Sequence, residues 1–285
     1  MTLRLLEKGD IPAAREIWHQ CFKEDSDAFL DWFFTKRCDP SLSAGCFEDG
    51  ALVSVMHGTV MPLTSLAGVL PALMVSGVAT VPERRGQGYM HRTMLFLRQK
   101  AQERGINILF NHPQDPDAYK RLGFLPCTET VYFEGNADSF AGIAPAVPAP
   151  VFSPADAHAV YEALTNRYLA FSVRDAASFL LRTEELLTDG DRAVVYKEGG
   201  RPYAYCFYRV EGDTVFCDEI LSLSGYAPVL SSVLRLSGAR RILAKLPPDA
   251  GLDGERRVQN IMLAPEPVYR LFDGPGALRY SLDEY

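Results

Sequence analysis

Val78–Met90 reads VATVPERRGQGYM. A β-rich run meets a proline, two arginines and two glycines, then passes into a stretch with helical periodicity. That order of residues makes a phosphate cradle. The glycines let the backbone approach an anion closely, and the following helix offers unpaired N–H groups at the positive end of its dipole. Arg84 and Arg85 add charge where a pyrophosphate would sit. Two common nucleotide loops are excluded by the residues themselves. A P-loop needs Lys then Ser or Thr after its last glycine, whereas Tyr89 and Met90 follow Gly88. A dinucleotide fingerprint needs a third glycine, and Gly86-Gln87-Gly88 runs on to Met90 and His91 without one.

The flanks give the loop its setting. Asp10 reads as an N-cap, and Ile11, Ala14, Ile17, Trp18, Cys21 and Phe22 recur at helical spacing. A second helix carries Phe29, Leu30, Phe33 and Phe34. Residues 44–48 and 51–63 read as strands joined by Asp49-Gly50, a hairpin signal. The strand at 70–81 feeds the Arg/Gly loop, and the helix from Tyr89 ends near Arg104 with Gly105 behind it. A strand at 106–111, a short helix to Leu122 and a strand at 125–133 complete one α+β unit. Residues 135–154 are rich in Ala, Pro and Gly and nearly uncharged, a linker composition. A second cycle then follows: helices near 155–169 and 175–187, strands at 192–197, 202–210 and 214–221, a helix at 228–237 and a strand at 241–246.

Arg85-Gly86-Gln87-Gly88-Tyr89-Met90 resembles motif A of the GNAT superfamily, the acyl-CoA N-acyltransferases, with Met90 where Gly or Ala is usual. Asp117-Ala118-Tyr119-Lys120-Arg121-Leu122-Gly123-Phe124 is similar to motif B of the same superfamily. The resemblance is carried by residues 44–133; over 155–270 it rests on element order. No basic glycine-rich loop follows Ile220, where Leu-Ser-Leu-Ser-Gly-Tyr stands instead. The implied fold is α+β: tandem GNAT-like domains, each a mixed central sheet flanked by helices, with the second degenerate. Its expected boundaries are 1–134 for a catalytic domain, 135–154 for a linker and 155–285 for the degenerate domain. This tandem order resembles the enhanced-intracellular-survival acetyltransferases, whose additional sterol-carrier-like domain 285 residues leave no room for.

The resemblance implies transfer of an acetyl group from acetyl-CoA to a primary amine of a small molecule or peptide by direct attack. The loop residues Arg84, Arg85, Gly86, Gln87, Gly88, Tyr89 and Met90 are expected to hold the pyrophosphate. Val78, Ala79 and Thr80 are expected on the strand edge that pairs with pantetheine and polarises the thioester. Asn111 is expected to make an amide contact there. Tyr119 is the expected general acid beside the sulfur, protonated at neutral pH because a phenol ionises near 10. The base is less defined, since residues 69–81 contain no Asp or Glu. His57, His112 and the terminal carboxylate of Tyr285 are the candidates, the last because the terminus enters the site in the tandem enzymes and in N-myristoyltransferases. Two alternatives stand beside this reading: an aminoacyl-tRNA-dependent FemX-like transferase and a non-catalytic acyl-CoA-binding sensor.

Bulk properties narrow the partners. Hydrophobic residues make up 47% and charged residues 23% of the chain, enough for a packed core. The net charge of −7 disfavours nucleic acid, which needs clustered Lys and Arg. No run approaches the roughly 18 apolar residues of a membrane span, and MTLRLLEKGD turns charged too early for a secretory leader. Six scattered cysteines without a C-x-x-C pair fit reduced thiols and a cytoplasmic location. No His, Cys, Asp or Glu set has metal-ligand spacing, so no metal is expected. Self-association is left open.

Overall fold

A computed structural model describes residues 1–258 and 261–283. The chain divides into two compact units, and each is built around its own sheet. The first comprises residues 1–127, 261–274 and Asp283; the second takes 128–258 and 275–282.

In the first unit, β1 (Thr2–Leu5) precedes α1 (Ile11–Cys21) and α2 (Asp27–Trp32). The Ser26 hydroxyl caps α2 by accepting from the Phe29 N–H, and the helix widens into a π-helical turn over Phe33–Arg37. Then come β2 (Ala44–Glu48) and β3 (Ala51–Val60). Asp49 and Gly50 join them with φ of +48° and +83°, which is why a two-residue turn suffices. A small hairpin, β4 (Leu63–Ser65) and β5 (Gly68–Leu70), leads to β6 (Ala72–Thr80). After it come α3 (Tyr89–Gln102), β7 (Ile108–Asn111), α4 (Pro116–Lys120) and β8 (Leu125–Pro126).

The second unit holds β9 (Glu129–Asn136), α5 (Pro154–Thr165), α6 (Ala176–Thr188), β10 (Arg192–Glu198), β11 (Arg201–Glu211), β12 (Thr214–Ser222), α7 (Ala227–Ser237), β13 (Arg241–Leu246) and β14 (Glu255–Val258). The chain then returns to the first sheet as β15 (Met262–Ala264).

Strand order is β1-β2-β3-β6-β7-β15-β8 in the first sheet and β10-β11-β12-β13-β9-β14 in the second. Each sheet has one parallel pair, β6 with β7 and β12 with β13. In the first unit, Met94, Leu97 and Ala101 of α3 pack with Leu73 and Val75 of β6 and with Leu122 and Phe124 beyond α4. Ala14 and Ile17 of α1 pack on the other face with Val55 and Ala79.

The structure departs from the sequence reading at the seam. The run expected as one strand over 125–133 is two, because β8 ends at Pro126 and β9 pairs with β13 in the second sheet. Residues 135–154 are not a free tether. Phe140 is buried, and the Ala146 and Ala149 amides donate to the Pro228 and Val195 carbonyls within the second unit. A composition with little charge was thus read as a linker, although its backbone is paired. Strands β1, β14 and β15 were not expected; each is four residues or shorter, too short to show a period. Among the described residues no helix is long and apolar enough to cross a membrane.

Candidate active site

The central feature of the first unit is a gap between two parallel strands. β6 pairs with β7 only through Ala72, Leu73 and Met74, opposite Ile108, Leu109 and Phe110. From Val75 to Thr80 the β7-side edge of β6 has no strand beside it. On its other side β6 carries a bulge. Val55 faces Ala79 and His57 faces Ser76, so Gly77 and Val78 together oppose Met56. Gly77 takes φ +55°, a left-handed conformation that favours glycine. The extra residue inverts the strand's parity. Leu73 and Val75 face α3, yet Ala79 faces α1 and Val78 turns to the α3 side.

Beyond β6 the chain rounds the Arg/Gly loop into α3. Gly86 and Gly88 have φ of +75° and +79°, and a Cβ on either would meet no protein atom within 4 Å. The backbone conformation and an open approach above it, rather than internal packing, therefore account for glycine here. No side chain caps α3; its first helical bond runs from the Arg92 amide to the Gly88 carbonyl. The amides of the first turn are thus left for an external anion.

The loop side chains are placed unevenly. Arg85 folds back, its Nε donating to the Thr80 carbonyl at 3.2 Å and its Nη2 meeting the Cys21 sulfur at 3.3 Å. Arg84 lies 3.4 Å from Glu48, which also accepts from the Tyr89 hydroxyl. Tyr89 is buried with Cys46 and Val53, so its ring packs under the loop, and the residue also lines the cleft. Met90 packs against the α3 core and also lines the cleft. Gln87 is exposed and does not line the cleft.

These elements bound a cleft of about 950 Å³. Val78, Ala79 and Thr80 line it, together with Arg84, Arg85, Gly86, Gly88, Asn111 and Tyr119. Asn111, 2% exposed, ends β7, and neither its amide nitrogen nor its oxygen reaches a protein partner at hydrogen-bond distance. A buried carboxamide left so carries a penalty of about 1–3 kcal/mol that a ligand can relieve. Tyr119 lies on α4, its ring against Phe124. Burial pushes its hydroxyl up to about 12, against the opposing effect of the nearby Asn111 amide.

The same cleft is lined by residues the sequence reading did not single out for chemistry. Trp18 and Cys21 come from α1, and Phe22, Glu24 and Asp25 from its end and the turn after it. In the sequence the aromatic residues read as one apolar helix face. Gly77 was the available signal, since a lone glycine inside a strand marks a bulge or a close approach.

His57 is corrected. It is 1% exposed, absent from the cleft lining, and enclosed by Trp18, Phe33 and Phe34 at ring separations of 5.3–5.4 Å. Burial drives its pKa down to about 3, so it stays neutral. Its Nδ1 lies 3.1 Å from the Ser43 hydroxyl and 3.6 Å from the Cys38 sulfur. Burial also raises the Cys38 thiol to about 11, so this pair forms no thiolate–imidazolium nucleophile. His112 does line the cleft. Tyr285 lies outside the described residues; Asp283, two positions earlier, groups with the first unit.

Residues 2–127 match the sequence profile of the acetyltransferase (GNAT) domain family. No curated protein matches the sequence. Among solved structures the fold is similar to a probable N-acyltransferase from Enterococcus faecalis, with a TM-score of 0.74 at 15% identity over 92% of this chain and 72% of that one. It is similar to Eis1 from Mycobacterium abscessus, with a TM-score of 0.68 at 17% identity over 92% and 73% of the two chains. It is also similar to Saccharomyces cerevisiae N-myristoyltransferase bound to myristoyl-CoA, with a TM-score of 0.60 at 9% identity over 92% and 82%. Residues 2–127 thus match the GNAT domain profile, and the chain as a whole shares the fold of these structures.

Proposed function

We propose that the protein is an acetyl-CoA-dependent N-acetyltransferase acting on a primary amine, with its chemistry in the first unit. The observation that carries this is the parting of β6 from β7, with the Gly86/Gly88 cradle at one end and the unsatisfied Asn111 amide inside. The residues fit an acyl-CoA. The first-turn amides of α3 would hold the pyrophosphate, with Arg84 and Arg85 adding charge. The open edge of β6 would pair with pantetheine like an added strand, and Asn111 would satisfy one of its amides.

At the bulge, main-chain N–H groups around Val78–Thr80 polarise the thioester carbonyl. The amine nitrogen bonds to the acyl carbon as the carbon–sulfur bond breaks, and the ammonium proton leaves to solvent. Tyr119 meets the departing thiolate. Full proton transfer from a hydroxyl near 12 to a thiolate near 8.5 is uphill by about 3.5 units, roughly 5 kcal/mol. Tyr119 therefore acts by donating a charge-assisted hydrogen bond to sulfur, protonated throughout the neutral range. The carboxylates of Glu24, Asp25, Asp115 and Asp117 line the cleft and favour a cationic acceptor. No observation favours the aminoacyl-tRNA or sensor alternatives.

The test is a coenzyme A release assay over polyamines, aminoglycosides, amino acids and peptides, with acetyl-CoA as donor. Amine-dependent thiol release, suppressed in Tyr119→Phe, is expected. Binding of acetyl-CoA without release for any amine would leave a binding protein instead of an enzyme.

A further inference from the structure

We infer that Trp18 sets the length of the acyl group the protein accepts, by closing the far side of the thioester position. This rests on the acyl-CoA reading above and deepens it.

A Cβ built on Gly77 would lie 2.2, 2.5 and 2.8 Å from three carbons of the Trp18 ring. The indole therefore occupies the place where a side chain of the bulged residue would stand. Gly77 is thus fixed twice, by its left-handed backbone and by the ring against it. The bulge is where the thioester carbonyl is expected, so an acyl chain leaving that carbonyl toward α1 meets the indole first.

The indole has no room to swing aside. Its centroid is 4.6 Å from Phe33, 5.8 Å from Phe22 and Phe34, and 6.1 Å from Phe29. His57 stacks on it at 5.4 Å with 29° between the planes. Its Nε1 donates to the Asp25 carboxylate at 2.6 Å, tying the ring to the turn after α1. Trp18 is 3% exposed and Phe33 fully buried. Behind the bulge there is thus a continuous aromatic block, where a long-chain donor would need a channel. Interiors this close-packed do not open by small adjustments. Removing the indole would leave a cavity walled mainly by Phe22, Phe29, Phe33, Phe34 and His57, with the Asp25 carboxylate at its cleft end, so the space behind the bulge can take hydrocarbon.

Acyl-chain length can be read without knowing the acceptor. Calorimetric titration of the full chain with coenzyme A and its acetyl, propionyl, butyryl, hexanoyl and octanoyl thioesters compares each chain with the same carrier. In the wild-type protein, acetyl and propionyl should bind at least as tightly as coenzyme A, and hexanoyl and octanoyl at least tenfold more weakly. Trp18→Leu and Trp18→Ala should restore hexanoyl binding at least tenfold while changing coenzyme A affinity less than threefold. Trp18→Leu keeps an apolar filler and guards against loss of folding in the alanine variant. Octanoyl binding as tight as acetyl in the wild type overturns the gate, as does an unchanged chain-length profile in a folded Trp18→Leu variant. Failure of coenzyme A itself to bind is a different result, and it would overturn the acyl-CoA assignment together with the gate.

Discussion

The two units repeat one plan and differ most plainly in the turn that follows the splayed strand. In the first, β6 bulges at Gly77–Val78 and leaves β7 after Met74; in the second, β12 bulges at Asp218 and leaves β13 after Cys217. Both then turn into a helix. α3 begins behind two left-handed glycines and two arginines, with an open approach. α7 begins behind Leu223-Ser224-Gly225-Tyr226, where Ser222 accepts from the Ser224 amide and donates to the Gly225 carbonyl, so the turn is closed on itself. Pro228 removes one first-turn amide, and Tyr226 is buried with Ile220 and Leu246 at the ends of β12 and β13. A cavity of about 470 Å³ in the second unit lies instead beside Gly238 at the far end of α7, where the dipole disfavours an anion. A splayed, bulged strand pair is thus a property of the fold. The anion cradle proposed for the first unit is a property of a handful of loop residues.

The units also differ in what they bury. The second holds Arg174 and Glu219 at 2.9 Å, with Arg182 beside Glu185 and the Tyr205 hydroxyl donating to Glu219, all under 10% exposed. In the first unit the Arg4–Asp10 and Arg84–Glu48 pairs stand partly in solvent. Glu219→Leu should have the largest effect of any single change. It removes the carboxylate that Arg174 meets at 2.9 Å and Arg182 at 3.6 Å, a loss of about 3–5 kcal/mol readable by urea unfolding. Unfolding unchanged within 1 kcal/mol would contradict the account of a charged core in the second unit.

The loops come next. Arg85→Ala combined with Gly88→Val should weaken acetyl-CoA binding on the order of 100-fold or more; the left-handed φ of Gly88 makes Val strained there, costing on the order of 1–2 kcal/mol of stability, so affinity is compared on protein that unfolding curves show to be folded. Gly225→Val at the corresponding turn of the second unit should change binding less than about twofold. Equal losses at both loops would erase the distinction between the units. Tyr119→Phe should reduce kcat roughly 10- to 100-fold, the range of one charge-assisted hydrogen bond, and leave the acetyl-CoA Kd unchanged. With its hydroxyl near 12, the wild-type rate should show no decline from this group below about pH 10. A decline centred near pH 8 would assign another donor.

The last prediction concerns His57 and is read as a change with pH. Its folded pKa of about 3 lies below the unfolded value near 6.5, so the unfolded state binds the proton first as pH falls. Its contribution to stability is complete above about pH 6.5 and is lost as pH falls toward 3, by up to about 1.4 kcal/mol per pH unit. The stability difference between His57→Phe and wild type should therefore move in the variant's favour between pH 7 and pH 5. A difference independent of pH would mean that His57 titrates normally.

Local features of this molecule were legible from the chain, and long-range ones were not. The Asp49-Gly50 turn, the helix starting at Tyr89 and ending before Gly105, and motif B around Tyr119 depend on nearest neighbours, and composition shows them. Val78–Thr80 read as the strand edge of the site, and the bulge at Gly77 that turns this edge depends on the register of β3 against β6. The path of the seam could not be read, because β9 and β15 choose partners more than 100 residues away or in the other sheet. His57 illustrates the same limit: a strand histidine reads as a possible base until α1 and the π-helical turn fold an aromatic wall around it. Glu24 and Asp25 became visible as cleft residues only once Trp18 had been placed against Gly77.

The measurement that bears most directly on this account is the stoichiometry of acetyl-CoA binding to the full chain by calorimetry. One site per chain, abolished by the Arg85/Gly88 double variant, is the predicted result. Two sites, or none, would contradict the claim that a repeated strand pair carries its anion cradle in the first unit alone.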